Sequence, residues 1–241
     1  MLYSKLTIII PVFNESRRLI ETVFELDSYL KRYTYDTEII IVNDGSTNNF
    51  IEQHENELKK YASIVSYQKN KGKGFAVYTG ITTSSQDSDY ILFMDADGST
   101  KFSYIDIFLQ QAKGNDIVIA SRHPWGKNIK SFQPFIRKKL GTVGRKVIKY
   151  ILPTIEDTQC GFKMFSRQIA QNIASKQTIW RWAFDIEYLV IAKENSLKIK
   201  EVSVEWSDNK ESKVKVISAA LYTVWEILRI IRNKKRRKYR F

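Results

Sequence analysis

Apolar and polar positions change period several times along the chain, and each change marks an element. Leu6-Thr7-Ile8-Ile9-Ile10 is a short, mostly β-branched run ended by Pro11, the pattern of a buried strand. Leu19, Val23, Leu26 and Leu30 then recur at helical spacing, with Asn14 placed as the N-cap. Glu38-Ile39-Ile40-Ile41-Val42 predicts a second strand, closed by the turn Asn43-Asp44-Gly45-Ser46, and a polar helix runs to about Tyr61. Ser63 to Gln68 predicts a third strand, Gly74 to Ser84 a helix, Tyr90 to Met94 a fourth strand and Asp116 to Ala120 a fifth. Strands alternating with helices predict βαβ units: an α/β chain with a Rossmann-like, mostly parallel sheet flanked by helices.

The second half is less regular. Leu140, Val143, Val147 and Ile151 keep helical spacing within the basic stretch from Ser131 to Leu152, with Lys138, Lys139, Arg145, Lys146 and Lys149 on the other side. That pattern suits a helix lying on a membrane surface and equally an amphipathic helix packed on the sheet. Val214, Val216, Ile217, Leu221, Val224, Trp225, Leu228 and Ile231 predict the apolar side of a last helix, followed by a polybasic tail. The organisation expected is one domain over residues 1–212, with an amphipathic helix and basic tail over 213–241.

In sheets of this kind, ligands gather at the carboxyl ends of the strands. The polar clusters fall there: Asn14-Glu15, Asp44-Gly45-Ser46 and Asp95-Ala96-Asp97-Gly98. Acidic turns crowded at one sheet edge repel one another unless a cation or a hydrogen-bonding ligand joins them. Asp95 and Asp97, two hard oxygen ligands just past a strand, suit Mg²⁺ or Mn²⁺ held together with substrate phosphates. Asp44 can accept hydrogen bonds from a base or ribose, or it can close its strand as an Asx-turn. Asn70-Lys71-Gly72-Lys73-Gly74 is a basic, glycine-rich turn ahead of a helix, able to bring N–H groups and an ammonium to a phosphate.

Charge and cysteine content add two constraints. The formal net charge is +13, and Arg229 to Arg240 is strongly basic, which suits anionic lipid or nucleic acid. No nucleic-acid reading module is present, so no nucleic-acid partner is expected. The single cysteine, Cys160, excludes an internal disulfide and suits a reducing compartment. Met1 to Lys5 leads straight into a strand, so no signal peptide is expected, and no run of 18 or more apolar residues offers a membrane span.

Ile10-Pro11-Val12-Phe13-Asn14-Glu15, Val42-Asn43-Asp44-Gly45-Ser46, Asn70 to Gly74 and Asp95 to Gly98, in this order, resemble glycosyltransferase family 2. The resemblance implies a GT-A fold, a nucleoside-diphosphate sugar donor and inversion at the anomeric carbon. Five further segments look like the dolichyl-phosphate β-glucosyltransferases: Asp95 to Phe102, Ala120-Ser121-Arg122-His123, Asp157-Thr158-Gln159-Cys160-Gly161-Phe162-Lys163-Met164-Phe165, Arg181 to Glu187 and Glu201 to Trp206. That group implies transfer of glucose from UDP-glucose to a polyprenyl phosphate, with the enzyme peripheral on the cytosolic membrane face.

Carried over residue by residue, the resemblance implies that Pro11, Phe13, Glu15 and Asp44 hold the uridine, and that Lys73 and Lys213 lie by the donor phosphates. Asp95 and Asp97 bind the metal, and Arg122, with Arg137, meets the acceptor phosphate. Ser99 stands where mannosyl relatives carry a glutamine, so no third protein ligand is expected. Phe13 replaces a commoner tyrosine and keeps base stacking. Eukaryotic members usually begin with a transmembrane anchor, and with none here the basic helices would take over attachment. An ionised phosphate acceptor needs little help from a base, so Asp185 is expected to orient the sugar or a basic residue. With a saccharide acceptor, Asp185 or Glu187 would take a proton. A nucleotidyltransferase and a non-enzymatic basic binding protein are the remaining alternatives, and the second leaves the ordered acidic turns unexplained.

Overall fold

The computed structural model describes residues 5–32, 36–122, 147–206 and 216–241, with side chains in the last segment from Tyr222 onward. Seven strands, β1 (Leu6–Val12), β2 (Thr37–Asp44), β3 (Ser63–Tyr67), β4 (Tyr90–Met94), β5 (Ile117–Ser121), β6 (Phe162–Ser166) and β7 (Ile199–Ser203), form one sheet in the order β3-β2-β1-β4-β6-β5-β7. β1 pairs in parallel with β2 and β4, β2 with β3, and β5 with β7; β6 alone runs antiparallel, between β4 and β5. The mostly parallel α/β fold expected from the alternation is the fold observed.

The sheet is covered on both sides, which is why its central strands read as unbroken apolar runs. Successive side chains point to opposite faces. Ile8, Ile10, Ile39, Ile41 and Leu92 pack in one layer, with Leu19, Val23 and Leu26 of α1 (Arg17–Leu30) and Ile105 and Phe108 of α5 (Tyr104–Ala112). Ile9, Ile40, Val42, Phe93 and Ile119 pack in the other. Their partners come from α4 (Lys73–Thr83), α6 (Arg167–Lys176) and α7 (Phe184–Glu194).

Several local expectations need correction. Asn14 does not cap α1: it sits at φ 54 and its Oδ1 accepts from Thr47 N at 2.8 Å, tying the turn after β1 to the turn after β2. Ser16 occupies the N-cap position. The polar helix before Tyr61 breaks at His54 into α2 (Phe50–Gln53) and α3 (Glu55–Leu58). Most of the basic stretch 131–152 lies outside the described residues; its end, 147–151, is helical and buries Ile151.

The C-terminal segment is the largest departure. The helix α8 (Val216–Lys235) faces the domain with Glu226, Ile227, Ile230 and Asn233; of the predicted apolar side, Ile231 packs against the core, while Val214, Val216, Ile217 and Leu221 lie outside the described side chains. Val224, Trp225 and Leu228 point outward instead. Beyond the helix, Arg237 turns the backbone at φ 55, and Tyr239, inside the most basic run, is fully buried in the same core as α7. Its hydroxyl donates to Glu187 at 2.7 Å and its carbonyl accepts from Asn195 Nδ2 at 2.7 Å. A tail held by one buried aromatic makes a checkable case. Tyr239→Phe, which removes one hydrogen bond to a buried carboxylate, is expected to lower unfolding free energy by about 1–2 kcal/mol. An unchanged urea midpoint would mean that this contact contributes nothing.

Candidate functional site: acidic turns and buried lysines at one sheet edge

β6 builds the site. Because it runs antiparallel with Phe162 opposite Met94, the residues just before it arrive at the carboxyl edge of β4, beside Asp95. Asp95 N donates to Gly161 O at 2.9 Å, and a Cβ on Gly161 would overlap the Asp95 carboxylate, so any larger residue there would displace that side chain. In this way the Asp157–Lys163 segment and Asp95-Ala96-Asp97, far apart in sequence, become one surface.

Asp95 pairs with Lys73 Nζ from the first turn of α4. Burial alone would lower the Lys73 pKa, but Asp95, Asp185 and Asp97 outweigh it and hold the ammonium charged. Asp97 sits on the turn made by Gly98 at φ 63, and its Oδ1 accepts from Ser99 N at 3.0 Å. Ser99 Oγ is buried, with no hydrogen-bond partner among the described residues. Two half-buried carboxylates beside an orphaned hydroxyl, in a field that already draws a lysine ammonium, fit a hard divalent cation. No cluster of three or more His, Cys, Asp or Glu side chains among the described residues could hold one alone. The remaining ligands would be diphosphate oxygens.

Asp185, in the first turn of α7, is buried and accepts from Lys163 Nζ at 2.7 Å. Lys163 is fully buried and also donates to Cys160 O at 2.6 Å. Burial raises the Asp185 pKa, and Lys163 and then Lys73 oppose that rise. Lys163 received no role from the sequence. Its signal was the lysine inside an apolar strand, Phe162 to Phe165, with both pairing partners, Phe93 and Ile119, in the core. A charge placed there must have a buried partner. Burial pushes the neighbouring Cys160 thiol up to about 11, so it stays protonated and unreactive.

Glu187 is excluded as a base. It is fully buried and accepts from Thr178 N, Thr178 Oγ1, Ile179 N and Tyr239 Oη at 2.6–2.9 Å. Two residues along a helix turn its side chain away from the face that carries Asp185, and it ties α7 to the C-terminal segment.

Arg122, at the end of β5, is held by Asp157 through Nε at 2.6 Å and Nη2 at 2.9 Å, and its guanidinium lies 5.4 Å from the Trp206 ring centroid. Asp157 in turn keeps a lowered pKa, because Arg122 outweighs the effect of burial. The pair orients the arginine with some of its N–H donors committed. Arg137 and Lys213 lie outside the described residues.

Asp44 departs from a simple ligand role. Its buried carboxylate accepts from Tyr67 Oη (2.8 Å), Asn70 Nδ2 (2.8 Å), Lys71 N (2.7 Å) and Gly72 N (2.9 Å). It thereby shapes the Asn70–Gly74 turn that carries Lys73, and to meet a base directly it would have to release a donor. Gly72 is needed for the same turn: its φ is 105, and a Cβ would meet Trp180 O at 2.5 Å. Pro11 does not end its strand: it lies within β1, paired with Val42 and half-buried, and Val12 is the last residue; Phe13 is exposed, and Glu15 lies 3.6 Å from Arg18. The phenylalanine ring is open to stack on a base.

The chain matches glycosyl transferase family 2 over residues 7–174. It belongs to glycosyltransferase family 2, and its sheet is that of the GT-A fold. It is similar to dolichyl-phosphate beta-glucosyltransferases: 36% identical to one of Trichomonas vaginalis, over 87% of this chain and 66% of the relative. The Homo sapiens enzyme is 33% identical over 87% of this chain and 69% of the relative. The chain thus spans about two thirds of the length of these relatives. Among solved structures, glucosyl-3-phosphoglycerate synthase from Mycobacterium tuberculosis, in complex with UDP, superposes with a TM-score of 0.70 at 16% identity, covering 94% of this chain and 80% of that one. A complex of the same synthase holds Mn²⁺, UDP-glucose and phosphoglyceric acid, at a TM-score of 0.66, 16% identity and coverage of 94% and 79%.

Proposed function

We propose that this protein is an inverting, metal-dependent glucosyltransferase that moves glucose from UDP-glucose to a polyprenyl phosphate of the dolichyl type, working on the cytosolic face of a membrane. The observation that carries the reading is the meeting, at one sheet edge, of Asp95 and Asp97 with Lys73, the Lys163–Asp185 pair and the Asp157-held Arg122. The kinship with dolichyl-phosphate beta-glucosyltransferases supports the acceptor, and the synthase complexes with UDP-glucose and Mn²⁺ support donor and metal class.

Phe13 would stack on the uracil, and the turn shaped by Asp44 would present Lys73 to the diphosphate. A divalent ion held by Asp95 and Asp97 would neutralise charge on the leaving UDP, as Mg²⁺ or Mn²⁺ can. Arg122 would align the acceptor phosphate, whose oxygen attacks the anomeric carbon as the bond to UDP breaks. The nucleophile is already an anion, so no base is required. Asp185, neutralised by Lys163, serves better to orient a sugar hydroxyl than to take a proton.

Sugar transfer from UDP-glucose to a short-chain polyprenyl phosphate, with Mn²⁺ or Mg²⁺ and with EDTA, tests this. Metal-dependent formation of a lipid-phosphate glucose is expected. UDP-glucose binding without that product would move the acceptor to a saccharide, with Asp185 as the candidate base.

A further inference from the structure

The outer side of α8 is unlike an ordinary solvent face. Its inward arc is Glu226, Ile227, Ile230 and Asn233; the exposed arc that adjoins it on one side carries, in angular order, Tyr222, Arg229, Trp225, Arg232 and Leu228. Tyr222 and Trp225 are 61% exposed and Leu228 is 59% exposed. Among the described exposed positions of this helix there is no carboxylate, although such faces normally mix both signs. The helix walls an open groove of about 730 Å³ whose other side is Lys71, Trp180 and Arg181. Glu226 also reaches the groove, but it is buried and accepts from Ala183 N at 3.0 Å. Trp182, two residues beyond Trp180, is also exposed.

We infer that this face, the outer arc of α8 with the Trp180–Trp182 corner, is the surface by which the protein lies on an anionic bilayer. Amphipathic rings seat at the level of lipid headgroups, and arginines beside them extend to the phosphates. Both signals are needed, since either alone gives only weak, reversible binding. Among the described residues no helix is long and apolar enough to cross a membrane. The polybasic tail is given the lesser part: buried Tyr239 holds it to the domain, although Arg236, Arg237, Lys238 and Arg240 stay exposed. Lys71 links the two functions, because it borders the groove and also donates its backbone N–H to Asp44 in the turn that presents Lys73. The inference rests on the lipid-acceptor reading for its purpose, but it is read without any sugar transfer.

The test is co-sedimentation of the full chain with phosphatidylcholine vesicles, with and without phosphatidylserine, at low and high salt. Binding is expected with phosphatidylserine and should weaken as salt rises. Trp225→Ala/Leu228→Ala and Arg229→Glu/Arg232→Glu should each reduce partitioning by about tenfold or more, with unfolding midpoints unchanged. Charge reversal at Arg236 and Lys238 should reduce it less. No binding by the wild type overturns the inference. So does binding lost only with the tail variant, or a dimer broken by Trp225→Ala/Leu228→Ala without vesicle binding. Transfer to a short-chain acceptor in detergent should survive Trp225→Ala/Leu228→Ala. Its absence in the wild type, with vesicle binding intact, would count against the enzymatic reading alone.

Discussion

Asp97→Ala should abolish sugar transfer while leaving the protein folded. Asp97 sits half-buried on a turn, and its hydrogen bond to Ser99 N contributes about 0.5–1.5 kcal/mol. A small shift in thermal midpoint is therefore the whole structural cost expected. The loss in rate is of another order. Removing a group that fixes charge compensation at a leaving diphosphate costs about a thousandfold or more. Asp95 cannot replace it alone, being shared with Lys73. The measurement is the initial rate over a Mn²⁺ titration beside the thermal midpoint. Near-normal turnover at high metal would remove Asp97 from the metal site.

Lys163→Met is expected to lower stability by about 3–5 kcal/mol, because it leaves the Asp185 carboxylate and Cys160 O without their buried donor. Lys73 offsets part of that charge, yet it is engaged with Asp95. The double variant Lys163→Met/Asp185→Leu should recover most of the loss, since two apolar groups replace a buried ion pair at little cost. Urea unfolding reads both. A single variant within about 1 kcal/mol of wild type would show that the pair is not what holds this region together. Activity of the folded double variant then separates the roles: turnover retained makes Asp185 structural, and turnover lost with stability restored makes it an orienting group.

The parts of the fold legible in the sequence are those whose signal is local. Ile8 to Ile10 and Ile39 to Ile41 announce buried strands, because a strand covered on both faces must be apolar at every position. The turn residues that follow them announce the functional edge. Asp95 and Asp97 could be singled out because their spacing and place after a strand are written in consecutive residues. The strand Phe162–Ser166 gives a similar apolar run, but its antiparallel placement between β4 and β5 depends on partners 44–76 residues away in sequence.

The α/β class, the strand ends where the acidic turns gather, and kinship with glycosyltransferase family 2 were thus legible in consecutive residues. Which neighbouring residue serves the site was decided by tertiary structure. Asp185 and Glu187 look alike in the sequence; packing leaves one beside Lys163 and Lys73, and seals the other under Tyr239. Asp44 could be read either as an acceptor for a base or ribose or as an Asx-turn, and the Asn70–Gly72 turn folds over it and takes up its carboxylate. The tail read as a polybasic segment suited to an anionic partner because six residues around Tyr239 are cationic, but that one ring inserts into the core. The physical reason is common to all three. Period and composition report a residue's own preference for water, whereas its partners are set by long-range register and by the desolvation of groups that meet only when the sheet closes.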